Sequence, residues 1–266
     1  MLTMAWTQIH WQSEVLQKQT TMQVLLPARG RPPFAVFYLL HGLSDDSTTW
    51  MRHTRLEWYV RDLPLMVVMP DGYRGFYTDN VHGPAYAQHF GREVVDYVDR
   101  HFRTKAERCG RAIGGLSMGG YGALRVGLGF ADRFCSVNSH SGAVGRGNVD
   151  FSAEAEAAGK HDAKSKEFLA ELRRIFGENP AGSGHDIVQL AKSAQRANHL
   201  PEILMDCGTE DYLLLDNRDC HRALEAAAIP HDYREFSGAH DWDYWDAHIQ
   251  DALTFHAANL GIKRTR

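Results

Sequence analysis

Nowhere does the sequence reach the ~18 consecutive apolar residues that a membrane-spanning helix requires. The opening stretch, residues 1–15, has no basic segment followed by an apolar one, so it does not read as a secretory signal. A cytoplasmic location is the expectation that follows. A strong charge of one sign is also missing. The formal net charge is −4, which argues against a nucleic-acid or anionic-membrane partner. Cysteine is scarce, and Cys109, Cys135, Cys207 and Cys220 lack the close pairing of a zinc site. Cys109, Cys135 and Cys207 flank apolar runs, so buried thiols packing as small hydrophobes are expected. The fifteen histidines include no helical His-pair-plus-acid pattern of the His-Glu-x-x-His kind, so no metal site is expected. There is no Pro/Gly/Ser-rich linker, internal repeat or low-complexity tract. The chain, 1–266, therefore reads as a single α/β domain with a well-buried core.

What is present is alternation. Strand-like and helix-like segments follow one another in the pattern of a mostly parallel sheet with helices on both faces. Ala5–Gln12 and Thr20–Pro27 read as an antiparallel edge pair. Phe34–Leu40 and Leu63–Pro70 are nearly continuous apolar runs, as strands buried on both faces should be. Ala85–Phe102 places Phe90, Val94, Val95, Val98 and Phe102 on one face of a helix. Next come a strand at Arg111–Leu116, a helix over Met118–Phe130 and a strand at Ser136–His140. The alternation breaks over Gly145–Ala194, where two helices are predicted near Lys166–Phe176 and Asp186–Ala194. This insertion is either a solvated surface excursion or a cap that shapes a site. The pattern resumes with a strand at Glu202–Met205, a helix at Leu215–Ala228, a strand at Asp232–Phe236 and a closing helix at Trp242–Asn259.

One segment carries chemistry directly. Gly115, Ser117 and Gly119 form Gly-x-Ser-x-Gly between an apolar strand and an Ala/Leu-rich helix. The pattern alone is weak, and context gives it meaning. A sharp strand-to-helix turn crowds its neighbours, and glycines on either side of Ser117 relieve that crowding. The hydroxyl then projects at a helix N-terminus, where backbone N–H groups and the helix dipole favour developing negative charge. The bland alternative is an N-cap serine in a Gly-rich turn.

A tetrahedral intermediate needs two donors aimed at its oxyanion. The N–H of Met118, directly after the nucleophile, is one candidate. The loop after Phe37–Leu40, namely His41-Gly42-Leu43, offers the Leu43 N–H as the second, with His41 read as a structural hydrogen-bonder. A general base should lie in a late loop. His221, His248 and His256 fall in helical patterns and His231 opens a strand, which leaves His240. The acid must orient the imidazole and stabilise the imidazolium. Asp206, Glu210 and Asp211 are all available after Glu202–Met205, and Asp211 is favoured because it sits in the loop before the next helix. Trp50, Tyr73, Tyr77, Tyr121 and Trp245 fall near the expected sheet end and are candidate substrate-binding residues, although core packing is the commoner role for each.

With these pieces assembled, the chain resembles the esterase D-like family of the α/β-hydrolase superfamily. That family includes S-formylglutathione hydrolases, tributyrin-type, feruloyl and acetyl-xylan esterases, and mycolyltransferases. The matching segments are His41-Gly42-Leu43, Pro70-Asp71-Gly72, Gly115 through Leu124, Cys207-Gly208-Thr209-Glu210-Asp211 and His240 through Trp245. The resemblance implies Ser117, Asp211 and His240 as a triad in a cofactor-free serine carboxylesterase acting on a small-molecule ester. The nucleophile segment looks closer to tributyrin and feruloyl-type esterases than to glutathione thioester hydrolases. A short-chain acyl or small aryl-acyl ester is the expected substrate. Thioester hydrolysis, acyl transfer to an acceptor other than water, and a catalytically silent binding module on the same fold are the alternatives. A homo-oligomer stays open.

Overall fold

The computed structural model describes residues 4–152 and 162–264. Its centre is an eight-stranded sheet in the order β1-β2-β4-β3-β5-β6-β7-β8. The strands are β1 (Ala5–Ser13), β2 (Lys18–Leu26), β3 (Ala35–Leu40), β4 (Leu65–Pro70), β5 (Arg111–Leu116), β6 (Ser136–His140), β7 (Glu202–Gly208) and β8 (Asp232–Phe236). β1 and β2 form the expected antiparallel pair, and β2 joins β4 antiparallel. From β4 to β8 every neighbouring pair is parallel. This is the α/β-hydrolase fold.

The apolar runs of β3 and β4 are continuous because both faces are covered. Val36, Tyr38 and Leu40 enter one core, whereas Ala35, Phe37 and Leu39 enter the other. The helices that cover the faces are α1 (Thr49–His53), α2 (Leu56–Val60), α3 (Tyr86–Gln88), α4 (Val94–His101), α5 (Met118–Gly129), α6 (Ala163–Phe176), α7 (Ile187–Arg196), α8 (Leu214–Ala226) and α9 (Trp242–Asn259). The chain leaves β3 toward β4 on one side and arrives at β5 on the other. The carboxyl ends of β3 and β5 therefore form a topological switch point, the place where open α/β sheets bind ligands.

Three expectations needed correction. The helix expected over Ala85–Phe102 is interrupted by a π-helical turn at His89–Glu93. The wider turn serves the β1–β2 hairpin. Glu93 accepts from the Ser13 hydroxyl at 2.6 Å and from the Glu14 and Val15 N–H groups at 2.6 and 3.1 Å. β7 runs on to Gly208, beyond the apolar residues, because the polar Asp206 finds a partner on β6. Cys109 is exposed, on a short 3-10 turn that precedes the apolar part of β5, whereas the other three thiols are buried.

The insertion packs against the site end of the sheet. Residues 153–161 of it lie outside the described residues. Asp162 caps α6 by accepting from Ser165 N, and Asp186 caps α7 by accepting from Val188 N and Gln189 N. α7 packs on α5. The buried end of α6 presents Phe176 to Phe76, Tyr121 and Phe151. Arg74 makes a bidentate pair with Glu171 of α6 at 2.8 and 2.6 Å and also donates to Ser44.

Candidate active site

Ser117 sits between β5 and α5 with φ 52° and ψ −116°. Non-glycine residues adopt that conformation only at a cost, and the surroundings must hold it. Three backbone hydrogen bonds do so: Ser117 N donates to His140 O at 2.9 Å, while Ala143 N and Tyr121 N donate to Ser117 O at 3.0 and 3.1 Å.

The flanking glycines have a specific reason. A Cβ on Gly119 would lie 2.5 Å from Leu40 O and 2.6 Å from His41 O. One on Gly115 would lie 2.6 Å from Gly119 O and 2.7 Å from Leu40 O. The elbow is thus pressed against the end of β3, which is the strand that leads into the Gly42–Leu43 loop. All of these contacts are backbone atoms that cannot swing aside. Gly119→Ala is therefore expected to cost about 2 kcal/mol in urea-unfolding stability. It should also lower the kcat measured per folded molecule, and a variant with unchanged stability would show that the elbow is not tightly packed.

The Ser117 hydroxyl meets His240 Nε2 at 2.9 Å, and His240 Nδ1 meets Asp211 Oδ2 at 2.8 Å. The other Asp211 oxygen accepts from Leu213 N at 2.7 Å. Burial acts to raise the Asp211 pKa. Hydrogen bonds from His240, the Leu213 N–H and Ser141 outweigh it and hold the carboxyl below the usual range. Asp211 is thereby kept as the carboxylate.

The other carboxylates and histidines are committed elsewhere. Asp206 pairs with His140 and Tyr244. Glu210 is exposed and accepts the Gly238 N–H, which pins the loop leading to His240. His41 bonds Gly72 N through Nε2 and Gly42 O through Nδ1, each at 2.8 Å. His221 pairs with His231, His248 with Asp251, and His256 is buried against Ser136 and Asn138.

The Gly42–Leu43 loop runs alongside Ser117. A Cβ on Gly42 would lie 2.7 Å from Leu116 Cδ1 and 3.8 Å from the Cβ of Ser117. Asp45 accepts the Gly42 N–H at 3.2 Å. Among the described residues no hydrogen bond engages the Leu43 N–H. The Met118 N–H belongs to the first residue of α5.

The aromatic expectations divide. Trp50, Tyr77 and Tyr121 are fully buried and so belong to the core rather than to a substrate-facing wall. Their polar atoms are used internally, donating to Leu40 O, His41 O and His185 O. Trp245 packs edge-on against His240 with ring centroids 5.0 Å apart, its indole largely buried. Tyr73 lies half-exposed in a groove of about 670 Å³ lined also by Ser44, Asp45, Arg74, Tyr86 and Glu171. This groove begins one residue beyond Leu43. A groove of about 800 Å³ on the outer side of β1 and α4 contains none of the site residues.

The sequence does not single out Tyr212, which is 74% exposed with its ring 4.5 Å from that of His240. Its place directly after Asp211 is the available signal, whereas its exposure cannot be read from the chain.

The Esterase family model, described as "Putative esterase", matches residues 13–256. The chain belongs to that family. It is a carboxylic ester hydrolase of the serine-hydrolase kind. The esterase is 31% identical to an acetyl esterase of Caldicellulosiruptor saccharolyticus, over 94% of this chain and 97% of the relative. It is 29% identical to an S-formylglutathione hydrolase of Staphylococcus aureus, with 95% of this chain and 98% of that one covered and a TM-score of 0.79. It is also 29% identical to a fluorophosphonate-binding serine hydrolase F of the same organism, with 96% and 98% covered and a TM-score of 0.78. Among the described residues of the esterase no helix is long and apolar enough to cross a membrane. Nor does any group of three or more His, Cys, Asp or Glu side chains among them converge to hold a metal ion.

Proposed function

We propose that the esterase hydrolyses short-chain acyl or small aryl-acyl esters through a covalent acyl-enzyme on Ser117. The observation that carries this reading is the hydrogen-bonded chain Ser117–His240–Asp211, with successive contacts of 2.9 and 2.8 Å. His240 Nε2 takes the hydroxyl proton as Ser117 Oγ attacks the carbonyl carbon. The carbonyl oxygen becomes an oxyanion, received by the Leu43 and Met118 N–H groups. Asp211 holds the imidazole in the tautomer with its proton on Nδ1 and stabilises the imidazolium. The imidazolium then gives its Nε2 proton to the departing alcohol oxygen as the C–O bond breaks. In the second half, His240 takes a proton from water, the resulting hydroxide attacks the acyl carbon, and Ser117 leaves with the proton returned.

The groove beginning at Ser44 suits the alcohol portion, because its lining starts one residue after Leu43 and is polar. The rings of Tyr212 and Trp245 flank His240. The insertion acts in this reading as a cap, with α6 and the Arg74–Glu171 pair forming one wall of the groove.

Hydrolysis of p-nitrophenyl acetate, butyrate and decanoate tests the substrate class. The acetyl and butyryl esters should be turned over with kcat/KM at least about tenfold above the decanoyl ester. A preference for decanoate would sink the short-chain reading. An organophosphate should leave a single adduct on the peptide carrying Ser117, and an adduct on another serine would remove Ser117 from the mechanism. The likeness to a Staphylococcus aureus S-formylglutathione hydrolase favours one second reading, a thioester substrate. It requires no other residues, and S-formylglutathione in the same assay decides between them.

A further inference from the structure

Between β6 and α9 the esterase buries a seam of polar side chains where a sheet–helix interface is ordinarily apolar. At the end nearer the active site, Tyr244 donates its hydroxyl to Asp206 Oδ1 at 2.9 Å, and His140 Nδ1 meets Asp206 Oδ2 at 2.7 Å. At the far end Asn259 donates to the Ser136 hydroxyl at 3.0 Å. That hydroxyl meets His256 Nδ1 at 2.7 Å, and His256 Nε2 meets Asn138 Oδ1 at 2.8 Å. Ser136, Asn138 and His140 alternate along β6 and so share one face. Between the two halves, Asn138 Nδ2 and His140 Nε2 are buried without a partner. Buried ionisable pairs are poor stabilisers compared with apolar packing of the same volume. A seam of this length therefore asks for a role besides stability.

Its position supplies one. His140 and Asp206 are register partners on adjacent parallel strands. The carbonyl of His140 accepts the Ser117 N–H, and Ser141 N donates to Asp206 O at 2.7 Å. Asp206 lies on the strand whose following loop carries Asp211. Tyr244 is in the first turn of α9, directly after the His240 loop, and its own N–H donates to the cap Asp241 at 3.0 Å. Its ring also fills the space beside Gly238, where a Cβ would lie 2.6 Å from Tyr244 Cδ2. One buried carboxylate thus joins the three segments that carry Ser117, Asp211 and His240.

We propose that His140, Asp206 and Tyr244 are positioning residues that hold the His240 loop in register with the Ser117 turn. They act through the triad, so the proposal rests on the catalytic reading above. The groups facing His240 itself are Ser117, Asp211 and the rings of Tyr212 and Trp245.

Tyr244→Phe removes one hydroxyl and keeps the ring. With p-nitrophenyl acetate, kcat per folded molecule should fall about tenfold while KM stays within about twofold, as expected when the reacting groups are misaligned but binding is not. The acid limb of the pH–rate profile should move by about half a unit to lower pH, because a loosely held imidazole loses part of its stabilisation by Asp211. A lowered Tm with kcat and the acid limb both unchanged would overturn the proposal, since a purely structural role predicts that result. If Tyr244→Phe yields no folded protein, Asp206→Asn, which keeps the shape and one acceptor oxygen, carries the same expectation. Ser117→Ala measured alongside separates the two claims. Activity surviving in that variant overturns the triad. Its loss, with Tyr244→Phe behaving as wild type, overturns only the positioning role.

Discussion

Ser117→Ala is expected to reduce kcat on p-nitrophenyl acetate by about 10⁴- to 10⁶-fold with little change in KM. The argument rests on what the substitution leaves standing. Alanine accepts the same backbone with the same strain, and the three hydrogen bonds that hold the elbow use the backbone of Ser117 rather than its side chain. The Gly42–Leu43 loop and the N-terminus of α5 stay in place, so substrate should still bind. What disappears is the hydroxyl within reach of His240 Nε2 that attacks the ester carbonyl in this reading. Residual turnover would then come from water acting in the intact oxyanion site. Circular dichroism and thermal unfolding should show a folded protein, and labelling by an organophosphate should vanish. A folded variant with kcat within about tenfold of wild type would end the case for Ser117 as nucleophile.

Asp211→Asn should lower kcat by about 10³- to 10⁴-fold. The amide nearly matches the carboxylate in size, yet it cannot stabilise an imidazolium. If its NH₂ faces His240, it also favours the tautomer with the proton on Nε2, which cannot accept from Ser117. Glu210→Gln is the natural comparison. That side chain is exposed and touches the Gly238 N–H rather than His240, so kcat should stay within about threefold. Equal losses in the two variants would mean that the acid has been misassigned.

The lowered pKa of Asp211 also fixes the sign of a stability effect. A carboxyl whose folded pKa is depressed contributes stability that is fully present above its unfolded value, about 3.9, and lost as pH falls through the folded value. At neutral pH the Asn variant should therefore be the less stable of the two. The gap should close as pH drops below about 4. Urea unfolding at pH 7 and below pH 4 would reveal it, and a gap that widens in acid would contradict the assigned direction.

Local chemistry made part of this legible. β5, β6, β8 and α9 were read with the bounds they have, because each is a patterned run with abrupt punctuation. Ser117 was found because its turn demands glycines at fixed offsets. His240 was reached by elimination, since the remaining late histidines fall within helical patterns or, for His231, open a strand. The π-helical turn is not legible in the sequence, because the contacts Glu93 makes from it go to the β1–β2 hairpin, far away in the chain. The exposure of Cys109 was likewise hidden, since an apolar neighbourhood in sequence says little about a residue just before the strand begins.

The sequence by itself determined the alternation of elements, the Gly-x-Ser-x-Gly turn at Ser117 and a short list of partners for that serine. Periodicity and turn chemistry are properties of neighbouring residues, and a single chain displays them directly. Among Asp206, Glu210 and Asp211 the chain favours Asp211 by its place in the loop before α8, but only the tertiary structure shows what each carboxylate touches. Asp206 lies on β7, and Glu210 and Asp211 lie in the loop after it. Their roles diverge because β6 places His140 beside Asp206, the β8–α9 loop places Gly238 N over Glu210, and His240 arrives at Asp211. The same holds for the aromatics. Trp50, Tyr77 and Tyr121 are expected near the carboxyl end of the sheet, but whether a ring faces substrate or core depends on which element packs over it.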